Sequence, residues 1–137
     1  MTQHTYLRAY MAGIVVPTIF LLLAATAFTM ARYVYNVPVP IERVIVFPMA
    51  VVPNLWGLWN ILFVASHQRT HLPIGVHGAF LPLILGPLGI VMTSLLDFNI
   101  PGFASHILPV AAPVAFIAYY LVWKYLVGSL NQVLDLA

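Results

Sequence analysis

Four stretches of this chain, residues 9–31, 44–68, 70–96 and 98–123, contain no Asp, Glu, Lys or Arg, and its five basic and three acidic residues all lie outside them. The hydrocarbon core of a bilayer is about 30 Å thick and takes roughly 20 apolar residues of helix to cross, so each stretch is long enough. Charged residues make up 6% of the chain and hydrophobic ones 63%, whereas a soluble domain carries about 25% charge. The expected fold is therefore all-α and integral to the membrane: an antiparallel bundle of four transmembrane helices near residues 9–31, 44–71, 75–97 and 105–127. With so little sequence left outside them, residues 1–137 form a single membrane domain.

The first stretch is longer than the apolar core of a signal peptide, contains Pro17 and lacks a clearly basic start, so it reads as a retained helix. Four helices with short connections put both termini on one side, here side A. That side holds Arg8, Arg69 and Lys124, and the opposite side B holds Arg32 and Arg43, offset by Glu42 and Asp97. The excess of basic residues points to side A as cytoplasmic, with both termini inside.

Proline punctuates the connections. The run Asn36-Val-Pro-Val-Pro reads as a stiff connector, since residues before proline are pushed out of the helical region. Pro73 ends the second helix by Leu72, and Asn99-Ile-Pro-Gly turns the third into the fourth. Seven further prolines, Pro17, Pro48, Pro53, Pro82, Pro87, Pro109 and Pro113, fall inside the expected helices. Each removes a ladder hydrogen bond, so the bundle is expected to contain proline-kinked helices.

Small residues explain how such helices pack. At about 100° per residue, Ala9, Gly13, Pro17, Ala24, Ala27 and Ala31 share one face of the first helix. Gly75, Gly78, Pro82, Gly86, Gly89 and Thr93 share a face of the third, and Ala104, Ala111, Ala115 and Ala118 one of the fourth. Such faces let backbones approach closely, which replaces the hydrophobic drive that lipid removes. Gly13, Gly78, Gly86, Gly89, Ala111 and Ala115 are the expected packing positions, against one another or against another subunit.

The second helix alone carries a polar stripe. Measured from Trp56, Asn60, His67 and His71 lie at about 40°, 20° and 60° if the helix reaches Leu72, and Asn54 falls on the opposite face. His77 follows across a short turn. His67, His71 and His77 are the candidate ligands for a haem, a pigment or a metal, because an HxxxH pair on one helical face has ligand spacing; the competing reading is interfacial histidines at the lipid headgroups. Trp56 and Asn60 are candidates for contact with a partner, a quinone or a pore. Trp123 and Tyr125 beside Lys124 read as an interface anchor. On side B, Asp97, Ser105 and His106 are near in sequence, but adjacent helical residues diverge by about 100°, so capping by Ser105 and pairing of Asp97 with Arg32 or Arg43 is the simpler reading.

The chain has no cysteine, which excludes thiolate nucleophiles, disulfides and covalent c-type haem. No acid or base lies deep in an expected helix, and no phosphate loop, HExxH motif or nucleic-acid-binding basic cluster occurs. The expectation is a small polytopic membrane protein without catalysis of its own, partnered by lipid and by other membrane subunits or further copies of itself, not by nucleic acid. No cofactor is required by this reading. The alternatives are an electron-transfer subunit binding a cofactor or quinone, and a small channel or transporter.

Overall fold

The computed structural model describes residues 4–97 and 104–136, apart from the side chains at 43–46 and 104–105. Among these the chain is all-helical: α1 (Thr5–Tyr33), α2 (Ile41–Val44), a π-helical stretch π1 (Ile45–Val51), α3 (Val52–Thr70), α4 (Ile74–Ala79), α5 (Leu81–Leu95), α6 (Ala104–Val122), π2 (Trp123–Val127) and α7 (Gly128–Val133). These join into four helices long and apolar enough to cross a membrane, Thr5–Tyr33, Phe47–Thr70, Ile74–Leu95 and His106–Val133. The turn at Asn99-Ile-Pro-Gly and capping by Ser105 lie outside the described residues.

The helix ends follow local chemistry. Beyond α1, Asn36 takes a left-handed conformation (φ 55°), Val37 N–H donates to the Ala31 carbonyl at 2.9 Å, and Pro38 and Pro40 keep the chain extended. Pro48 lies within π1 and Pro53 in the first turn of α3. The missing N–H of Pro48 falls in the wider π turn, where it is tolerated, and Pro53 follows at the join where that turn gives way to α3 within the continuous Phe47–Thr70 helix. At the end of α3, His71 turns left-handed (φ 51°) and returns its N–H to the His67 carbonyl at 2.9 Å. The second helix thus stops at Thr70, one residue short of the expected 44–71, and His71 leaves the stripe.

The fourth helix runs further than its sequence suggested. It continues past Lys124 through Val133, and Trp123, Val127, Gly128 and Asn131 are buried. Trp123 is 0% exposed, so it is a core residue and not an interface anchor. Lys124 allows this because its long stem carries the charge away from the core; its ammonium lies 5.7 Å and 5.2 Å from the ring centres of Tyr120 and Tyr125.

Two close contacts organise the bundle. A Cβ added at Gly13 would come within 2.6 Å of the Trp56 carbonyl and 2.9 Å of the Gly57 Cα, so α1 and α3 touch backbone to backbone there. A Cβ at Gly78 would lie 2.0 Å from Trp123 Cγ, and Gly75 meets Tyr120 in the same way, which seats α4 on the end of α6 and π2. Around these contacts one cluster gathers Trp56, Leu81, Trp123 and Val127, and a second gathers Ala9, Phe63 and Val64. The opposite end is loosely packed. Described side chains from Ile107 to Val114 are all exposed, and α5 and α6 enclose a groove in place of a core.

Candidate functional site

The periodicity of α3 sets Trp56, Asn60, Phe63 and Val64 on the side that faces the other helices, and all four are buried. Asn60 sits where three helices meet. Its Nδ2 donates to the Ala9 carbonyl at 2.7 Å and to Asn131 Oδ1 at 2.8 Å. Asn131 Nδ2 donates back to Asn60 Oδ1 at 2.9 Å. Both amides are 0% exposed. The Gly13–Gly57 approach brings the α1 backbone close enough for the Ala9 carbonyl to receive the Asn60 side chain, since a carbonyl has two lone pairs. The result is a self-satisfied polar clamp that ties the start of α1, the middle of α3 and α7.

Next along α3 lies a second clamp. Trp59 Nε1 donates to the His77 carbonyl at 2.9 Å, and His77 Nε2 lies 3.0 Å from the Trp59 carbonyl. A carbonyl only accepts, so Nε2 carries the proton in this pair. The two rings stack at 4.8 Å with 26° between their planes. Each residue thus binds the other's backbone with its side chain, locking α4 to α3 across the turn.

Trp56 faces inward as well. Its ring lies 5.2 Å from Tyr119 and 5.3 Å from Trp123, so the stripe of Trp56 and Asn60 is filled by α1, α6, π2 and α7. Asn54 projects from another face and is exposed; its Oδ1 accepts from the Tyr10 hydroxyl on α1, and its Nδ2 donates to the Ala50 carbonyl.

The three candidate histidines are not gathered at one point. His77 is buried in its Trp59 clamp. His67 packs its ring 4.9 Å from Phe63, which also contacts His77 at 5.3 Å, and His67 Nδ1 is buried without a partner. His71, past the helix end, is exposed. Among the described residues, no group of three or more His, Cys, Asp or Glu side chains is placed to hold a metal ion. On side B, Arg32 pairs with Glu42 at 2.7 Å, and the Arg32 guanidinium, by its hydrogen bond, holds the Glu42 carboxyl below the usual glutamate range. His106 is exposed.

The packing positions divide in two. Gly13 and Gly78 make close helix contacts, and a Cβ at Gly89 would meet Phe47 at 3.6 Å. Gly86 meets nothing within 4 Å, and Ala111 and Ala115 line the groove opposite it. Two participants escaped the sequence reading. Asn131 lay beyond the expected fourth helix, although Trp123, Val127 and Asn131 recur every four residues and so continue its inner face. Gly57 was overlooked because no small-residue stripe runs through α3. Comparison with protein-family models, curated proteins and solved structures found no match to this chain.

Proposed function

We propose that this is an integral membrane protein with four antiparallel, proline-kinked spans and both termini on the cytoplasmic side, serving as a non-catalytic subunit or structural partner of a larger membrane complex or homo-oligomer. The observation that carries this reading is that the small-residue stripe of the first helix is used for only part of its length. Ala9, Gly13 and Pro17 are buried against the chain's own helices, while further along Ala24 and Ala31 are only partly covered and Ala27 is exposed. The stripe that packs at home therefore continues as an open surface suited to another helix.

The hydroxyl groups fit a lipid or subunit environment. Thr26, Thr29, Ser66 and Thr70 each donate to a carbonyl four residues back, and Thr93, Ser94 and Ser129 to one three residues back. None of these donors needs water, as the apolar region of a bilayer requires. The two polar clamps commit Trp59 and Asn60 of the second helix to holding the bundle together, which favours a structural role over transport.

The test is native mass spectrometry of the tagged protein released from its own membranes in gentle detergent, beside Ala27→Phe. The expected result is a particle of fixed stoichiometry that Ala27→Phe takes apart while the helical circular dichroism spectrum is kept. A single 15.1 kDa species under every gentle condition would overturn the reading.

A further inference from the structure

Besides the groove of α5 and α6, a smaller one of about 400 Å³ runs between α1 and the end of the fourth helix, lined by Val15, Ile19, Leu23, Leu126, Ser129 and Leu130 among others. Its one polar side chain is already engaged, since the Ser129 hydroxyl donates to the Leu126 carbonyl at 2.8 Å. The walls therefore suit alkyl carbon and nothing polar. From Val15 to Leu23 the groove follows α1 for about 12 Å, most of one leaflet of a hydrocarbon core about 30 Å thick. Over that length its volume leaves a section of about 33 Å², well under that of a helix roughly 10–12 Å across. A single alkyl chain matches such a channel. Arg8 stands beyond its outer end. Counted from Arg32, whose charge pairs with Glu42 on side B, the hydrocarbon takes about 20 residues of α1 and ends near Ala12. Arg8 lies one turn further, about 6 Å outside it, at the level of the lipid phosphates. At about 100° per residue it shares an arc of about 40° on α1 with Val15 and Ile19. It is partly exposed, and among the described residues its guanidinium has no ion-pair partner.

We propose that this groove holds one acyl chain of an anionic glycerophospholipid whose phosphate is bound by Arg8. The lining selects the chain, and the accessible guanidinium on the same helix face selects the head, because its planar fork of N–H groups matches phosphate oxygens two at a time. A zwitterionic headgroup brings a cation of its own that Arg8 repels, so the anionic class is preferred. The site rests on the membrane reading above and not on the subunit reading. Its lining on α1 ends at Leu23, one turn short of Ala27, and its test reads lipid contact instead of particle mass, so either proposal can fail alone.

The experiment places the full-length protein in phosphatidylcholine nanodiscs doped with either phosphatidylglycerol or phosphatidylcholine bearing the same diazirine-tagged acyl chain, irradiates them, and maps the labelled peptides by mass spectrometry. Label from phosphatidylglycerol should concentrate at residues 15–23 and 126–130 and exceed that from phosphatidylcholine about fivefold, the effect of one cation at an anionic lipid surface. Arg8→Gln should bring the two lipids level. Ser129→Phe, at an exposed position, should lower groove labelling by both lipids because its ring takes the space of the chain. Circular dichroism verifies the fold, and Ile19→Phe, also exposed, fills the groove from α1 if Ser129→Phe does not fold. Four results would overturn the proposal: equal labelling of the wild type by the two lipids, a preference that survives Arg8→Gln, label spread over the outer faces and unmoved by either filling variant, or a change of oligomeric mass in Ser129→Phe, which would assign the groove to a second copy.

Discussion

Replacing the clamp amides one at a time and together tests whether Asn60 and Asn131 hold the bundle as a unit. Asn131→Leu removes the two reciprocal amide bonds, of 2.8 and 2.9 Å, and leaves Asn60 its 2.7 Å bond to Ala9. Interhelical hydrogen bonds in membrane proteins contribute about 0.6 kcal/mol each on average, with a maximum near 1.7. The expected loss for Asn131→Leu is therefore about 1 kcal/mol, and an orphaned Asn60 oxygen raises it toward about 2 kcal/mol. Asn60→Leu breaks all three bonds and strands the Asn131 amide, so it should cost about 2–3 kcal/mol. Leucine keeps the γ-branched outline of asparagine, which limits the cavity left behind.

The double variant separates a coupled clamp from two independent contacts. With both amides gone no buried donor is stranded, so the double variant should be no less stable than Asn60→Leu alone. The coupling between the sites should exceed about 1 kcal/mol, well outside the 0.3–0.5 kcal/mol or so within which independent sites add. The measurement is reversible unfolding in mixed micelles with increasing dodecyl sulfate, followed by circular dichroism and by the fluorescence of the buried tryptophans. Additive costs for the two single changes would refute the reasoning, because they would mean that the amides do not depend on each other.

Three further outcomes follow from the same geometry. Gly13→Ala should destabilise by about 1–3 kcal/mol in the same assay, because its Cβ meets backbone at 2.6 and 2.9 Å that cannot step aside, whereas Gly86→Ala, in open space, should be neutral or gain up to about 1 kcal/mol in helix propensity. Trp59→Phe keeps most of the ring but loses the 2.9 Å bond to the His77 carbonyl, and should cost about 1 kcal/mol. Glu42, whose folded pKa is lowered first by its hydrogen bond from Arg32, should titrate by carbon-13 NMR below the ordinary glutamate range and return to it in Arg32→Gln; the pair's stabilisation is present above the unfolded pKa and fades as pH falls through the folded one.

The sequence announced the four helices because charge cannot sit in lipid, and it announced Asn60 because an amide on an apolar face must find a partner. It did not reveal that partner. The fourth helix was expected to end near residue 127, yet a lysine with a flexible stem lets the helix run on past it to Val133, and Trp123, Val127 and Asn131 form its buried side. The stripe loses His71 for a local reason. Once His71 turned left-handed after Thr70, helical spacing no longer governed where its ring points. The Trp59–His77 clamp depends on backbone carbonyls of two different helices, and residue type and spacing say nothing about which carbonyls will face each other.

The small-residue faces show where pattern reading stops and packing begins. Gly13 closes the α1–α3 interface directly against the Gly57 backbone, whereas along the third helix a glycine is sealed only where something large stands opposite. Gly78 faces Trp123, and the indole occupies the space a side chain would have taken, so α4 and π2 come together. Gly86 lies on the same face two turns further along, but Ala111 and Ala115 share its groove, and small against small leaves a gap where neither side has atoms to offer. In water such a gap would tend to collapse under the hydrophobic effect. In a bilayer that drive is absent, so the gap can persist until a lipid or a neighbouring helix supplies the missing contacts. One spacing rule therefore makes a sealed core at one end of the third helix and an open groove at the other, and what decides between them is the volume of the residue across the interface.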